Sequence, residues 1–171
     1  KYTMLPSNAA PRHVIVEQRL LDMAQMAETS PLNRIEMRDP AVGIIAAGAS
    51  YQYARDAFPQ ASFLKLGLTW PLPKGLIAEF RSKVERLYVV EELDPFLEEN
   101  IRLMGITVDG GKDLLSLLGE YDQGVVARAL TAAGVPGADP ELLTPVPAPA
   151  TGLPGRPPTL CPGCSHRGIF T

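Results

Sequence analysis

The sequence predicts an α/β fold: three layers, with helices on both faces of a mostly parallel, twisted sheet. Two observations carry this expectation. Short apolar runs of strand length recur along the middle of the chain: AVGIIAAG (41–48), ASFLKLG (61–67), VERLYVVEE (84–92) and the shorter ITVDG (106–110). The first is apolar at consecutive positions rather than alternate ones, which suits a strand buried on both faces, as in parallel sheets. Between them lie segments of helical character. Strand and helix therefore alternate, as in right-handed crossovers that cover a parallel sheet.

Each element has its own signals. The opening KYTMLPSNAAPRH reads as an extended arm, with Pro11 suited to the first turn of the helix that follows. RHVIVEQRLLDMAQMAETS places Val16, Leu20, Met23 and Ala27 at helical spacing, the mark of an isolated amphipathic helix. SPLNRIEMRDP, with Pro31 and Pro40, ends it. After the 41–48 strand, Ser50 stands as the cap of SYQYARDAFP, which Pro59 closes. Pro71 and Pro73 fix the turn before a helix over 74–83. DPFLEENIRLMG (94–105) carries the punctuation of a complete helix: Asp94 at the cap, Pro95 in the first turn, Glu98 near a capping-box position and Gly105 at the stop. GKDLLSLLGEYDQGVVARALTAAG adds helical material, interrupted near Gly119. From Val135 to Pro158 the chain turns Pro/Ala/Gly-rich, a mostly extended linker, and it ends on TLCPGCSHRGIFT.

Composition narrows the function classes. The 171 residues are 46% apolar and 20% charged, ordinary for a globular chain. A net charge of −3 provides no basic field for nucleic acid. No apolar run approaches the roughly 18 residues of a membrane span, and the opening residues hold no signal-peptide core. The first residue is Lys, which points to a piece of a larger protein. Two cysteines do not make a disulfide scaffold, and a cytoplasmic setting is expected.

Four features are candidates for chemistry. GIIAAGAS, a Gly-containing turn into a helix, offers N–H donors to a phosphate. It lacks the established phosphate-loop spacings, so it reads rather as an ordinary strand–helix turn. Glu91 and Glu92 end the third apolar run, where open α/β sheets place their ligands. Paired carboxylates there could do acid–base work or hold a cation, but helix-dipole compensation or an interdomain ion pair is the reading preferred. Trp70, the only tryptophan, reads as an interface or packing residue. Cys161 and Cys164 have the spacing of zinc or iron–sulfur ligands, yet with His166 they supply at most three of about four ligands. The metal site they suggest is incomplete, and free thiols are the alternative. No catalytic residue and no cofactor-binding residue is assigned.

Taken together, RPPTLCPGCSHRGIFT, LYVVEELDPFLEENI, FLKLGLTWPLPKGLIAEF, GIIAAGASYQYARDAF and the KYTMLPSNAAPRH arm resemble the alpha subunit of indolepyruvate:ferredoxin oxidoreductase, a thiamine-diphosphate-dependent 2-oxoacid:ferredoxin oxidoreductase family. The resemblance implies a sheet of the transketolase C-terminal-domain type. It also implies four parts: an arm and helix from the end of a pyrimidine-binding domain (1–40), the transketolase C-terminal-like domain (41–134), a linker (135–158) and the start of a thiamine-diphosphate-binding domain (159–171). The implied activity is oxidative decarboxylation of aryl 2-oxoacids to acyl-coenzyme A, with electrons passing to ferredoxin. Thiamine diphosphate, magnesium and iron–sulfur clusters would serve the parent enzyme, and none is expected in this piece, because the family's pyrimidine-contacting glutamate and Gly-Asp-Gly motif have no counterpart in it. Ser165 stands where the family pattern has proline. The implied partners are the other domains of the subunit, a beta subunit and ferredoxin, with a homodimer possible and neither nucleic acid nor membrane. On this reading the piece is a non-catalytic central scaffold. The alternatives are the equivalent domain of a pyruvate:ferredoxin oxidoreductase or deoxyxylulose-phosphate synthase, and an independent metal- or nucleotide-binding α/β module.

Overall fold

The computed structural model describes residues 3–145. In chain order the elements are α1 (Pro6–Thr29), β1 (Arg34–Glu36), β2 (Asp39–Ala47), α2 (Gly48–Ala57), β3 (Ala61–Leu66), α3 (Lys74–Ser82), β4 (Arg86–Val90), α4 (Phe96–Leu103) and α5 (Gln123–Ala132). The sheet order is β1-β3-β2-β4. β2 runs parallel to both β3 and β4, so the mostly parallel sheet is as expected.

β2 is the centre of the molecule, and its side chains alternate between two cores. Val42, Ile44 and Ala46 join Phe63, Tyr88 and Val90 beneath α2 and α5, against Tyr51, Phe58, Val126 and Leu130. Ile45 joins Leu64, Leu66, Leu87 and Val89 on the opposite face, against Ile77 and Phe80 of α3 and Leu97 and Ile101 of α4. Ile44 and Ile45 are both fully buried. This two-sided burial is why the run is apolar at every position.

Several local expectations are corrected. The opening is helical rather than extended. α1 starts at Pro6, whose fixed φ suits a first helical position, and the Leu5 carbonyl accepts the amides of Asn8 and Ala9, both at 2.8 Å. Pro11 therefore lies inside the helix, where it removes one ladder hydrogen bond on an exposed segment. SPLNRIEMRDP contains a strand, β1, which pairs antiparallel with β3 at the sheet edge. Three residues are too few for periodicity to reveal it.

Ser50 is not a cap. α2 begins at Gly48 and Ser50 is buried within it. Asp94 is not a cap either, since α4 begins at Phe96 after Pro95. Residues 106–110 form one parallel bridge, Tyr88 to Gly110, rather than a strand. There the Asp109 carboxylate accepts the Leu87 amide at 2.8 Å, so a side chain does work that a ladder would do. Residues 111–122 are turns, and helix resumes only at α5, where Asp122 caps the Val125 amide at 2.6 Å. The first part of the proline-rich stretch lies against the α2–α5 face. Val135 is buried, a 3-10 turn spans Pro140–Leu143, and Leu142 and Leu143 pack on the core.

Asn33 ties α1 to the sheet. Its Nδ2 donates to the Ala27 carbonyl at 2.8 Å, and its Oδ1 accepts the amides of Gly67 and Leu68, both at 2.9 Å. A Cβ on Gly67 would stand 2.6 Å from the Leu32 carbonyl oxygen, so this approach admits only glycine.

Glu36 organises the β1 edge. Its carboxylate accepts the Tyr51 hydroxyl at 2.7 Å and pairs with Arg34 at 2.7 Å, Arg38 at 3.6 Å and Arg55 at 3.7 Å. Burial pushes the Glu36 carboxyl up, but Tyr51, Arg34 and Arg55 outweigh it and hold the pKa below its usual 4.5. A depressed folded-state value means that the stabilisation is fully present above the unfolded pKa and is lost as pH falls through the folded value. Unfolding titrations of wild type and Glu36→Gln should therefore differ most near neutrality and converge in acid. A gap that is constant across the acid range would contradict this assignment.

Candidate functional site at the carboxyl edge of the sheet

The carboxyl ends of β2, β3 and β4 carry three connections: the Ala47–Gly48 turn, the 67–73 loop and the 91–95 loop. Open α/β sheets place ligands here. Glu91 follows β4 directly and is buried. Its two oxygens accept the amides of Leu97 at 2.7 Å and Glu98 at 2.9 Å, so it caps α4 from a distance. Burial pushes the Glu91 carboxyl up, against the pull of those two amides and of Lys112. Glu92 turns elsewhere and accepts the Tyr121 amide at 2.8 Å. The structure thus does not bring Glu91 and Glu92 to bear on one ligand. Each fastens a different segment of backbone.

Two further carboxylates follow the same rule. Glu98, also buried, accepts the Lys112 amide at 2.8 Å and pairs with Arg102 at 2.9 Å. Glu28 of α1 accepts the amides of Gly75 at 2.9 Å and Leu76 at 2.8 Å, capping α3. Both α3 and α4 therefore receive their N-terminal carboxylate from another element. Orphan amides and the helix dipole favour a negative charge at that place. Sequence reasoning missed Glu28 because its partners lie 47 and 48 residues away, beyond any local capping pattern.

Trp70 is 54% exposed, with its ring centroid 5.8 Å from that of Phe96. It lines a largely apolar cavity of about 400 Å³ with Ala24, Leu72, Asn100, Leu103 and Met104, between α1, the 67–73 loop and α4. The Ala47–Gly48 turn enters α2 without a side-chain cap, and Gly48 has φ +56.

Among the described residues, no three His, Cys, Asp or Glu side chains gather as a metal site. Cys161, Cys164 and His166 lie outside the described residues. Four acidic side chains at this edge, Glu28, Glu91, Glu92 and Glu98, accept backbone amides. What these carboxylates do is hold the starts of α3 and α4 and the 112 and 121 backbone in place.

Removing the distant caps should destabilise the chain without touching its cores. Glu91→Ala strands two buried amides and should cost about 1–3 kcal/mol, whereas Glu91→Gln keeps one acceptor and relieves a buried charge, so it should cost less. Glu28→Ala should cost about 1 kcal/mol and free the end of α1. Urea unfolding with far-UV circular dichroism reads all three. Equal losses for the two Glu91 variants would show that the carboxylate is not a cap.

No protein-family model matches the chain. It is similar to indolepyruvate oxidoreductase subunit IorA of Methanothermobacter thermautotrophicus, at 31% identity over 99% of this chain and 29% of that protein. The same subunit of Archaeoglobus fulgidus is 35% identical over 98% of this chain and 28% of its own length. That of Pyrococcus horikoshii is 33% identical over 99% and 28%. Among solved structures, a 2-oxoglutarate:ferredoxin oxidoreductase from Magnetococcus marinus, with 2-oxoglutarate, coenzyme A and succinyl-CoA bound, superposes with a TM-score of 0.55. It covers 77% of this chain and 24% of its own at 15% identity, and so speaks to the fold alone. The chain spans 28–29% of the length of these curated relatives, and over nearly all of its own length it is similar to that part of indolepyruvate oxidoreductase IorA subunits.

Proposed function

We propose that the chain is a central, non-catalytic scaffold of an indolepyruvate:ferredoxin oxidoreductase alpha subunit. The enzyme oxidatively decarboxylates aryl 2-oxoacids to acyl-coenzyme A and passes the electrons to ferredoxin, in the cytoplasm. The observation that carries this reading is the similarity to IorA subunits across 98–99% of the chain. Thiamine diphosphate, magnesium and iron–sulfur clusters belong to the whole enzyme in this proposal. Thiamine diphosphate would supply the carbanion chemistry, and no step is assigned to the residues described here. Their role is to fix the geometry between parts that react, and that geometry tolerates little looseness.

Two features support a scaffold. The carboxylates of the sheet edge serve as structural fasteners, as described above. In addition, α1 leaves the domain. Along residues 6–19 only Ala9 is even partly buried and Val14 is 71% exposed, while Leu21, just beyond, is 61% exposed. A helical stretch of that length is marginal in water by itself. Its apolar side chains suit a contact with another domain of the subunit, the beta subunit or a second copy.

The chain alone should show no turnover with indolepyruvate, coenzyme A and an electron acceptor, while the intact enzyme does. Turnover by the chain alone would overturn the scaffold reading. In the intact enzyme, Leu21→Asp should reduce assembly, read by size-exclusion chromatography. In the isolated chain the same change should shift stability by no more than about 0.5 kcal/mol. Assembly that is indifferent to Leu21→Asp would remove α1 from the contact.

A further inference from the structure

A second cluster lies on the outer edge of the sheet, on the α2 side. Glu36 gathers Arg34, Arg38 and Arg55, and Lys65 stands directly opposite Arg34 in the β1–β3 register. The Lys65 ammonium lies 5.7 Å from the centroid of the Tyr51 ring, whose hydroxyl binds Glu36. Three guanidinium groups thus converge on one carboxylate, with Lys65 opposite one of them as a fourth cation, in a chain whose overall charge is −3. Like charges facing each other across a sheet are unfavourable, and Glu36 compensates only one of the four. Because the Glu36 side chain is largely buried, it holds the guanidinium groups near one another against their repulsion.

The arginines keep donors available. Arg34 and Arg55 approach Glu36 through Nε, and their side chains are 54% and 45% exposed. Arg38 uses Nη1 on the Pro59 carbonyl at 2.8 Å. An open hollow of about 390 Å³ lies beside them, lined by Arg38, Arg55, Asp56, Pro59 and Asp139. Its size falls within the range of small-molecule sites. Asp56 meets Gln123 at a long 3.4 Å, and Asp139 caps the Glu141 amide through Oδ1. Each carboxylate retains acceptor capacity.

We propose that this hollow binds a phosphate monoester bearing hydroxyl groups, of the sugar-phosphate class. Guanidinium forks match phosphate oxygens, so Arg38 and Arg55 take the phosphate, and Arg34 and Lys65 add to the field. Asp56 and Asp139 accept hydroxyl protons. The mixed charge of the lining favours such a ligand over a uniformly acidic protein surface, which would meet both aspartates.

Isothermal titration of the chain at fixed ionic strength tests this, with glucose 6-phosphate, glucose and inorganic phosphate as probes. Glucose 6-phosphate should bind saturably at one site, inorganic phosphate more weakly, and glucose not at all. Arg55→Gln, an exposed change at the end of α2, should weaken glucose 6-phosphate about tenfold with an unchanged circular dichroism spectrum. Asp56→Asn should weaken glucose 6-phosphate and leave inorganic phosphate as it was. No saturable heat from glucose 6-phosphate, equal binding of it and inorganic phosphate, or an unaltered isotherm for Arg55→Gln each overturns the proposal.

Discussion

The molecule depends on a central strand that has no solvent side. Ile44 and Ile45 are adjacent in sequence, point to opposite faces and are each fully enclosed. A strand in that position accepts neither a polar residue nor a slip of register, because a slip by one exchanges the contents of two differently shaped cores. Gly43 adds a steric condition: a Cβ there would stand 2.6–2.8 Å from the atoms of the Val84 side chain. Once β2 is fixed, its neighbours β3 and β4 are fixed by their parallel ladders, and α2 to α5 have only one place each to bury their apolar stripes.

This arrangement shapes the sheet's carboxyl edge. In many α/β proteins that edge is a work surface. Here its acids are directed at backbone. Glu91 joins the end of β4 to the start of α4, Glu92 pulls in the segment before α5, and Glu28 joins α1 to α3. A buried carboxylate such as Glu91 is costly unless hydrogen-bonded, and it receives two N–H donors, while the partly buried Glu28 and Glu92 receive theirs as well. Those bonds tie the ends of the strands to the segments that follow them.

Much of this was legible in the sequence. The two-face burial of 41–48, 61–67 and 84–92 is written directly as consecutive apolar residues, and Pro59 and Gly105 mark helix ends through backbone restrictions that need no tertiary context. What was hidden depends on distance. β1 is a strand only because β3 lies beside it. Asp94 and Ser50 have the right chemistry for caps, yet Glu91 takes the first role from three residues upstream of Asp94, and α2 starts before the second can act. The 111–122 stretch has helical composition, but Gly119 adopts φ +85 and the Ser116 side chain bonds to the Leu118 amide, so turns win. At the candidate site, Glu91 and Glu92 were identifiable as residues. Their partners were not, because those partners are amides that any sequence supplies.

α1 has a geometric consequence. It is 24 residues long, roughly 36 Å at the usual rise, and only its final turns are clamped, by Asn33 and Glu28. A rod fixed at one end acts as a gauge. Whatever meets the free end is kept at a set distance and angle from the sheet, and any tilt imposed there passes to the 67–68 backbone through Asn33 and to the start of α3 through Glu28.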